Sequence, residues 1–303
     1  MKKTIKTCTS LILVGVISTL TATDISAQDI LNEDKNSVYK KELTLNKIVK
    51  QYTPLREADV MWSRKIWREI DLREKMNHPF YYPENDGEAN TTGDRRSLID
   101  VIYSAINEGS ITAYGNAIMD DEFREPMTQE EIKVIGGAEE KYIEVTDWDA
   151  VAAGADPEEV TVQRLSKKQF DRNTVKKWRL KEEWFFDKQY SSMQVRILGL
   201  APLQEDRDEV TERLTGTFSP LFWVHFPEAR EVLINAEIFN SVKNDAERRT
   251  YDDLFWKRMF NSTITMEANV ANRRINEYMV GLDALLEAER IKAEIFNIEH
   301  DLW

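Results

Sequence analysis

The chain has 303 residues, of which 54 are acidic and 41 basic, for a formal net charge of -13; 42% are hydrophobic and 10% aromatic. That apolar content is ample for a buried core and excludes a disordered chain. The acidic balance argues against nucleic acid as the main partner, because binders of a phosphate backbone present a basic face.

Residues 1–27 read as a secretory signal. Lys2, Lys3 and Lys6 form its basic start, Leu11 to Leu20 an apolar run too short to span a bilayer, and Ile25-Ser26-Ala27 a small-residue cleavage site before Gln28. The only cysteine, Cys8, lies near the basic end of this leader. The mature chain is therefore expected to carry no thiol, disulfide or lipid attachment point. No later apolar run is long enough to cross a membrane, so the expectation is a soluble exported protein, periplasmic in a cell with two membranes.

Residues 28–56 are polar with scattered apolar positions and read as an N-terminal arm, docked on another surface or frayed. Residues 57–260 form the expected α+β core. In its first stretch Trp62, Ile66 and Ile70 fall four apart with Trp67 beside them, which predicts a helix with an aromatic stripe, ending before Pro79. Such a stripe serves either as core or as partner surface. Arg64, Lys65, Arg68 and Arg73 would form a basic patch on its other side. Residues 84–96 are a loop by composition. Leu98, Ile99, Ile102, Ala105 and Ile106 predict a helix closed by Gly109, and a short strand from Ile111 to Tyr114 follows. Thr128 with Glu131 three residues on is a capping box opening a brief helix. The acidic, Ala- and Gly-rich segment 139–162 is a surface loop or a hinge between two lobes.

From Trp184 to Arg230 the chain has its richest apolar stretch. Trp184 and Phe186, then Val195, Ile197 and Gly199, then Phe222, Val224 and Phe226 recur at every second residue, the spacing of strands. Three strands of a mixed or antiparallel sheet are implied, covered by helices on both faces because the intervening positions are apolar too. A helix through Val232, Ala236 and Phe239 is expected next. Another, capped by Asn244 or Asp245, would put Tyr251, Leu254, Phe255 and Met259 on one face. Residues 261–303 read as a helical C-terminal segment whose stripe of Ile275, Tyr278, Met279, Leu282, Leu285 and Leu286, running on towards Ile291 and Ile295, packs on the core or on a neighbouring subunit. Trp62, Trp67, Tyr278, Leu282 and the terminal Trp303 are the candidate partner-binding side chains.

Catalytic patterns are scarce. His78, His225 and His300 are far apart, and no metal-ligand spacing, nucleophile elbow, Walker motif or dinucleotide motif occurs, so no cofactor is expected. Three carboxylate groups remain as candidates for glycoside cleavage: Asp120-Asp121-Glu122, Glu182-Glu183 and Asp206-Asp208-Glu209.

Five stretches, ADVMWSRKIWREIDLREKMNHPFYYP, RRSLIDVIYSAI, EWFFDKQYSSMQVRILGLAP, SPLFWVHFPEARE and RRINEYMVGLDALLEAERIKAEIFNIEHDLW, together resemble the GldN/PorN family of the type IX secretion and gliding motility machinery. They run in the family's order over nearly the whole mature chain. The resemblance implies a non-enzymatic periplasmic subunit that builds outer-membrane-associated rings with the lipoprotein GldK (PorK). It would work beside the inner-membrane pair GldL and GldM (PorL and PorM), whose periplasmic part reaches towards the ring. Two rivals stay open: a soluble periplasmic glycan hydrolase using a carboxylate pair, and a monomeric binding module whose Trp-rich faces line a groove.

Overall fold

The computed structural model describes residues 47–84, 95–115, 121–135, 139–146, 161–168, 170–207, 214–240, 247–271 and 273–301. The leader with Cys8, most of the arm, residues 147–160 and Trp303 lie outside them. The chain divides into Met1–Leu45 and Asn46–Trp303, and all described residues belong to the second unit.

That unit is an α+β fold built on a seven-stranded sheet whose described pairings are all antiparallel, ordered β2-β8-β6-β5-β1-β9 with β7 also on β6. The strands are β1 (Val60–Asp71), β2 (Ala113–Tyr114), β5 (Val175–Asp187), β6 (Ser192–Arg207), β7 (Leu214–Pro220), β8 (Trp223–His225) and β9 (Thr263–Glu267); β3 (Glu139–Thr146) and β4 (Thr161–Lys168) pair as a separate hairpin. The helices are α1 (His78–Tyr81), α2 (Leu98–Asn107), α3 (Gln129–Val134), α4 (Phe226–Leu233), α5 (Tyr251–Trp256), α6 (Ile275–Tyr278) and α7 (Leu282–Asp301).

The stretch read as an aromatic helix is strand β1. Trp62, Ile66 and Ile70 are four apart, but four is also twice the strand period, so they share one face of an extended chain while Trp67 lies on the other. Pairing decides between the two: β1 is flanked by β5 from Trp62↔Phe186 to Asp71↔Lys177 and by β9 at Ile66↔Glu267. The expected basic patch is dispersed with it. Arg64 meets Glu267 and Glu294, and Arg68 donates to Ser262. Pro79, expected beyond a helix end, sits in the first turn of α1, where its missing N–H costs no intrahelical bond.

The central stretch needs two corrections. Its strands are longer than expected at β5 and β6 and shorter at β8, which ends at His225 because Phe226 opens α4. Gly199 does not share a face with Val195 and Ile197. The register runs Glu182↔Ile197 but Lys181↔Gly199, so a bulge at Leu198 reverses the alternation. Consequently Ile197 and Leu200 lie on one face, and Gly199 and Ala201 on the other. The segment read as purely helical also begins with β9, an edge strand of five residues.

Among the described residues, helices cover one face rather than the two expected. Trp178 and Leu180 of β5 with Ile197 and Leu200 of β6 pack beneath Leu98, Ile102 and Ile106 of α2, Ala229 and Leu233 of α4, and Leu254 and Phe255 of α5. Ser97 caps α2 by accepting from the Asp100 N–H, and Thr128 with Glu131 forms the expected capping box at α3. The cap of α5 is Thr250, paired with Asp253, rather than Asn244 or Asp245, which lie outside the described residues; Met259 falls beyond that helix. Tyr251 is fully buried, and its hydroxyl donates to the Arg96 carbonyl at 2.8 Å, with the Pro79 carbonyl 3.2 Å away; burial pushes its phenol pKa up.

The opposite face is covered by an irregular segment. Trp67, Ala201 and Trp223 pack against Tyr114, Phe123 and Met266, and Asp121 accepts from Trp67 Nε1 at 2.8 Å and pairs with Lys181 at 3.2 Å. Gly199 permits this cover: a Cβ there would stand 2.4 Å from the Phe123 ring and 3.3 Å from the Val224 carbonyl oxygen. Gly199→Ala is expected to lower stability by about 1–3 kcal/mol through overpacking. Urea unfolding should show a smaller penalty in a Phe123→Ala background, and an equal penalty would refute the steric cause.

Candidate functional site

Helix α7 presents two apolar faces. At about 100° per residue, Ala284, Ala288, Ile291 and Ile295 fall on one side, and Leu282, Leu285, Leu286 and Phe296 fall on the other. The first set is sheet-facing. With Ile66, Ile264 and Ile275 it forms a second core cluster, against which Trp62, Trp184, Met193 and Tyr278 pack. Trp184 alternates with Trp178 and Leu180 along β5, so this cluster lies on the same sheet face as the main core.

Polar contacts fix the helix in place. Arg64 of β1 bridges Glu267 of β9 at 3.2 Å and Glu294 of α7 at 3.1 Å. The hydrogen bond from Arg64 holds the Glu294 carboxyl below the usual carboxylate range. On the helix itself Arg290 pairs with Glu287 at 2.7 Å and Glu294 at 3.2 Å. Tyr278 Oη donates to Glu287 at 3.4 Å, which ties α6 to the start of α7.

The second set faces outward. Leu282 is 70% exposed, Leu285 55%, Leu286 60% and Phe296 59%, and Val280 just before the helix is exposed as well. Large apolar side chains at adjoining helical positions, with Glu289 and His300 on the same sector, form the kind of exposed patch that marks an interaction surface. Among the described residues no helix is long and apolar enough to cross a membrane.

The candidate side chains read from the sequence therefore separate. Trp62 and Tyr278 each pack against the apolar cluster beneath α7, Trp67 lies buried on the opposite sheet face, and Leu282 alone is presented outward. Trp303 lies outside the described residues. Leu285, Leu286 and Phe296 join Leu282 in the outward sector. The sequence signal for this division is the phase of the helix: the step of five residues from Leu286 to Ile291 turns the stripe to the other side.

The candidate carboxylates are engaged elsewhere. Asp121 holds Trp67 and Lys181, Glu122 pairs with Arg124, and Asp206 accepts from Ser219 Oγ at 2.8 Å. Glu182 and Glu183 are neighbours on a strand and point to opposite faces. Asp120, Asp208 and Glu209 lie outside the described residues. His78 packs edge-on to Tyr82, His225 to Phe123 and His300 to Phe296. Among the described residues no group of three or more His, Cys, Asp or Glu side chains has the arrangement of a metal site.

In comparison with known proteins, residues 55–303 match the model of a family described as gliding motility associated protein GldN. No curated protein matches the chain.

The two faces of α7 should respond differently to truncation. Ile291→Ala is expected to cost about 2–5 kcal/mol, whereas Leu286→Ser should stay within about 0.5 kcal/mol of wild type. Urea unfolding of the two variants checks this, and equal losses would refute the division into a buried and a free face.

Proposed function

Because the chain belongs to the GldN family, we propose that it is a periplasmic ring subunit that assembles with the lipoprotein GldK (PorK) and lies within reach of the periplasmic part of GldM (PorM). Family membership makes the chain a component of the gliding motility and type IX secretion machinery. The finer reading adds its place and its manner of work. The chain is exported by its N-terminal leader and reaches the outer membrane through the lipidated partner. It carries force or load between periplasmic and outer-membrane parts, and no side chain is assigned to catalysis.

The observation that supports this reading is the outward sector of α7. A closed ring requires head-to-tail contact between two different surfaces of each subunit. A helix whose inner face is already packed, while Leu282, Leu285, Leu286 and Phe296 remain exposed, provides one such surface without drawing on the core.

Purified full-length chain mixed with the lipoprotein should form particles of many subunits by light scattering and electron microscopy. Replacing Leu285 and Leu286 by Glu should abolish those particles while leaving the thermal transition within a few degrees of wild type. A chain that stayed monomeric with the partner, and that cleaved glycans until one acidic side chain was neutralised, would overturn the proposal in favour of a hydrolase.

A further inference from the structure

Among the described residues, strand β6 has an edge that is only partly paired. On one side it pairs with β5 from Ser192 to Gln204; on the other, β8 takes Gly199 and Leu200 and β7 takes positions from Leu203 to Arg207. Among the described residues, no strand pairs with the outer side of Ser192 to Leu198. Exposed edges are templates for strand addition and are usually covered.

The cover here is the last part of the arm, which crosses the edge instead of pairing along it. Arg196 Nη2 donates to the Thr53 carbonyl at 2.6 Å. Tyr52 stacks on Trp256 with centroids 5.3 Å apart, and the guanidinium groups of Arg196 and Arg230 lie 5.0 and 4.7 Å from its ring. Beside the crossing is a cleft of about 240 Å³, lined along the strand by Gln194 to Ile197 and on the helix side by Phe255, Trp256 and Arg258.

Two guanidinium groups, Arg196 and Arg258, and one carboxylate, Asp252, line the cleft, and Arg230, Lys47 and Lys50 lie around it. Arg230 is matched by Asp252, Arg258 by Glu182 and Lys47 by Asp253. Arg196 and Lys50 have no carboxylate partner among the described residues. Glu183 stands opposite Arg196 in the ladder, yet the two form no ion pair. These two cations, held over Tyr52 and Trp256 without a carboxylate partner among the described residues on a protein of net charge -13, are complementary to acid.

We propose that this edge and cleft are the docking site for an extended, carboxylate-bearing segment of another protein of the assembly. The segment adds a strand along Ser192 to Leu198, so that main-chain hydrogen bonds give affinity and alternate side chains give specificity. Its carboxylate takes Arg196 from the Thr53 carbonyl, because a charge-assisted, bidentate pair is stronger than one bond to a neutral oxygen. The arm then acts as a removable cover, and apolar side chains of the segment reach Phe255 and Trp256. This inference rests on the assembly reading above.

Hydrogen–deuterium exchange of the full-length chain, alone and in the particle formed with its partners, tests the site. The outward amides between Ser192 and Leu198 should exchange at least tenfold more slowly in the particle. A photo-reactive residue at position 194 should cross-link to an Asp- or Glu-rich stretch of another protein. Arg196→Glu should weaken incorporation at least tenfold, and Arg196→Lys far less. A particle that forms while these amides exchange as in the free chain overturns the site and leaves the ring reading standing. A cross-link to a second copy of this chain overturns the occupant, and an Arg196→Glu chain that incorporates normally overturns the carboxylate. Failure to form any particle defeats the ring reading, and this proposal with it.

Discussion

A single carboxylate holds the seam of this fold. Glu182 has no exposed surface and sits in the middle of β5, on the helix-bearing face, between the two apolar clusters. Arg258 meets it with both terminal nitrogens, at 2.9 Å to Oε1 and 3.1 Å to Oε2, and Trp184 Nε1 donates to Oε2 at 3.1 Å. Oε1 lies outside hydrogen-bonding geometry, so that half of the pair is held by charge alone. Arg68 adds a second cation nearby. Burial pulls its guanidinium pKa down, and the charge of Glu182 pushes it back up.

Several elements depend on that seam. Arg258 follows α5 in a left-handed conformation, with φ at 51°, so the carboxylate draws the end of this helix down onto the sheet. Arg68 donates to Ser262 just before β9, which places the edge strand whose Ile264 forms part of the floor of α7. Removing one partner of a buried pair costs about 3–5 kcal/mol because the other charge is left uncompensated. The apolar floor on which α7 rests thus adjoins a buried charge cluster on the same sheet face. The separate Arg230–Asp252 pair, at 2.7 Å, ties α4 to α5 and supports the wall on which Tyr52 rests.

The elements that could be read from sequence are those whose signals are local. The periodicity of α2 from Leu98 to Ile106, the Thr128–Glu131 box and the long periodicity of α7 are decided within a few residues, and the α+β class followed from the alternation in β5 and β6. What stayed hidden depends on distant partners. Trp62, Ile66 and Ile70 satisfy both helical and strand spacing, and only pairing with Phe186 to Lys177, more than a hundred residues later, selects the strand. The bulge at Leu198 has no signature of its own; it is recognised when Phe123 closes over Gly199. β9 is too short for periodicity to show. The candidate surface was half legible: Leu282 was singled out, but a single stripe was assumed where α7 carries two, and of the candidate tryptophans that are described Trp67 is buried and Trp62 is partly buried against the floor of α7.

The proposed role divides labour within one helix: its inner face completes a core, and its exposed outer face is the surface proposed for assembly. The chain's only cysteine is Cys8, within the expected leader, so a single introduced thiol can be followed by labelling. Leu286→Cys should react quickly with a membrane-impermeant maleimide in the isolated chain and at least tenfold more slowly in the assembled particle, while Thr217→Cys on β7 reacts alike in both. Equal labelling of Leu286→Cys in the two states would contradict the assignment of this face to assembly.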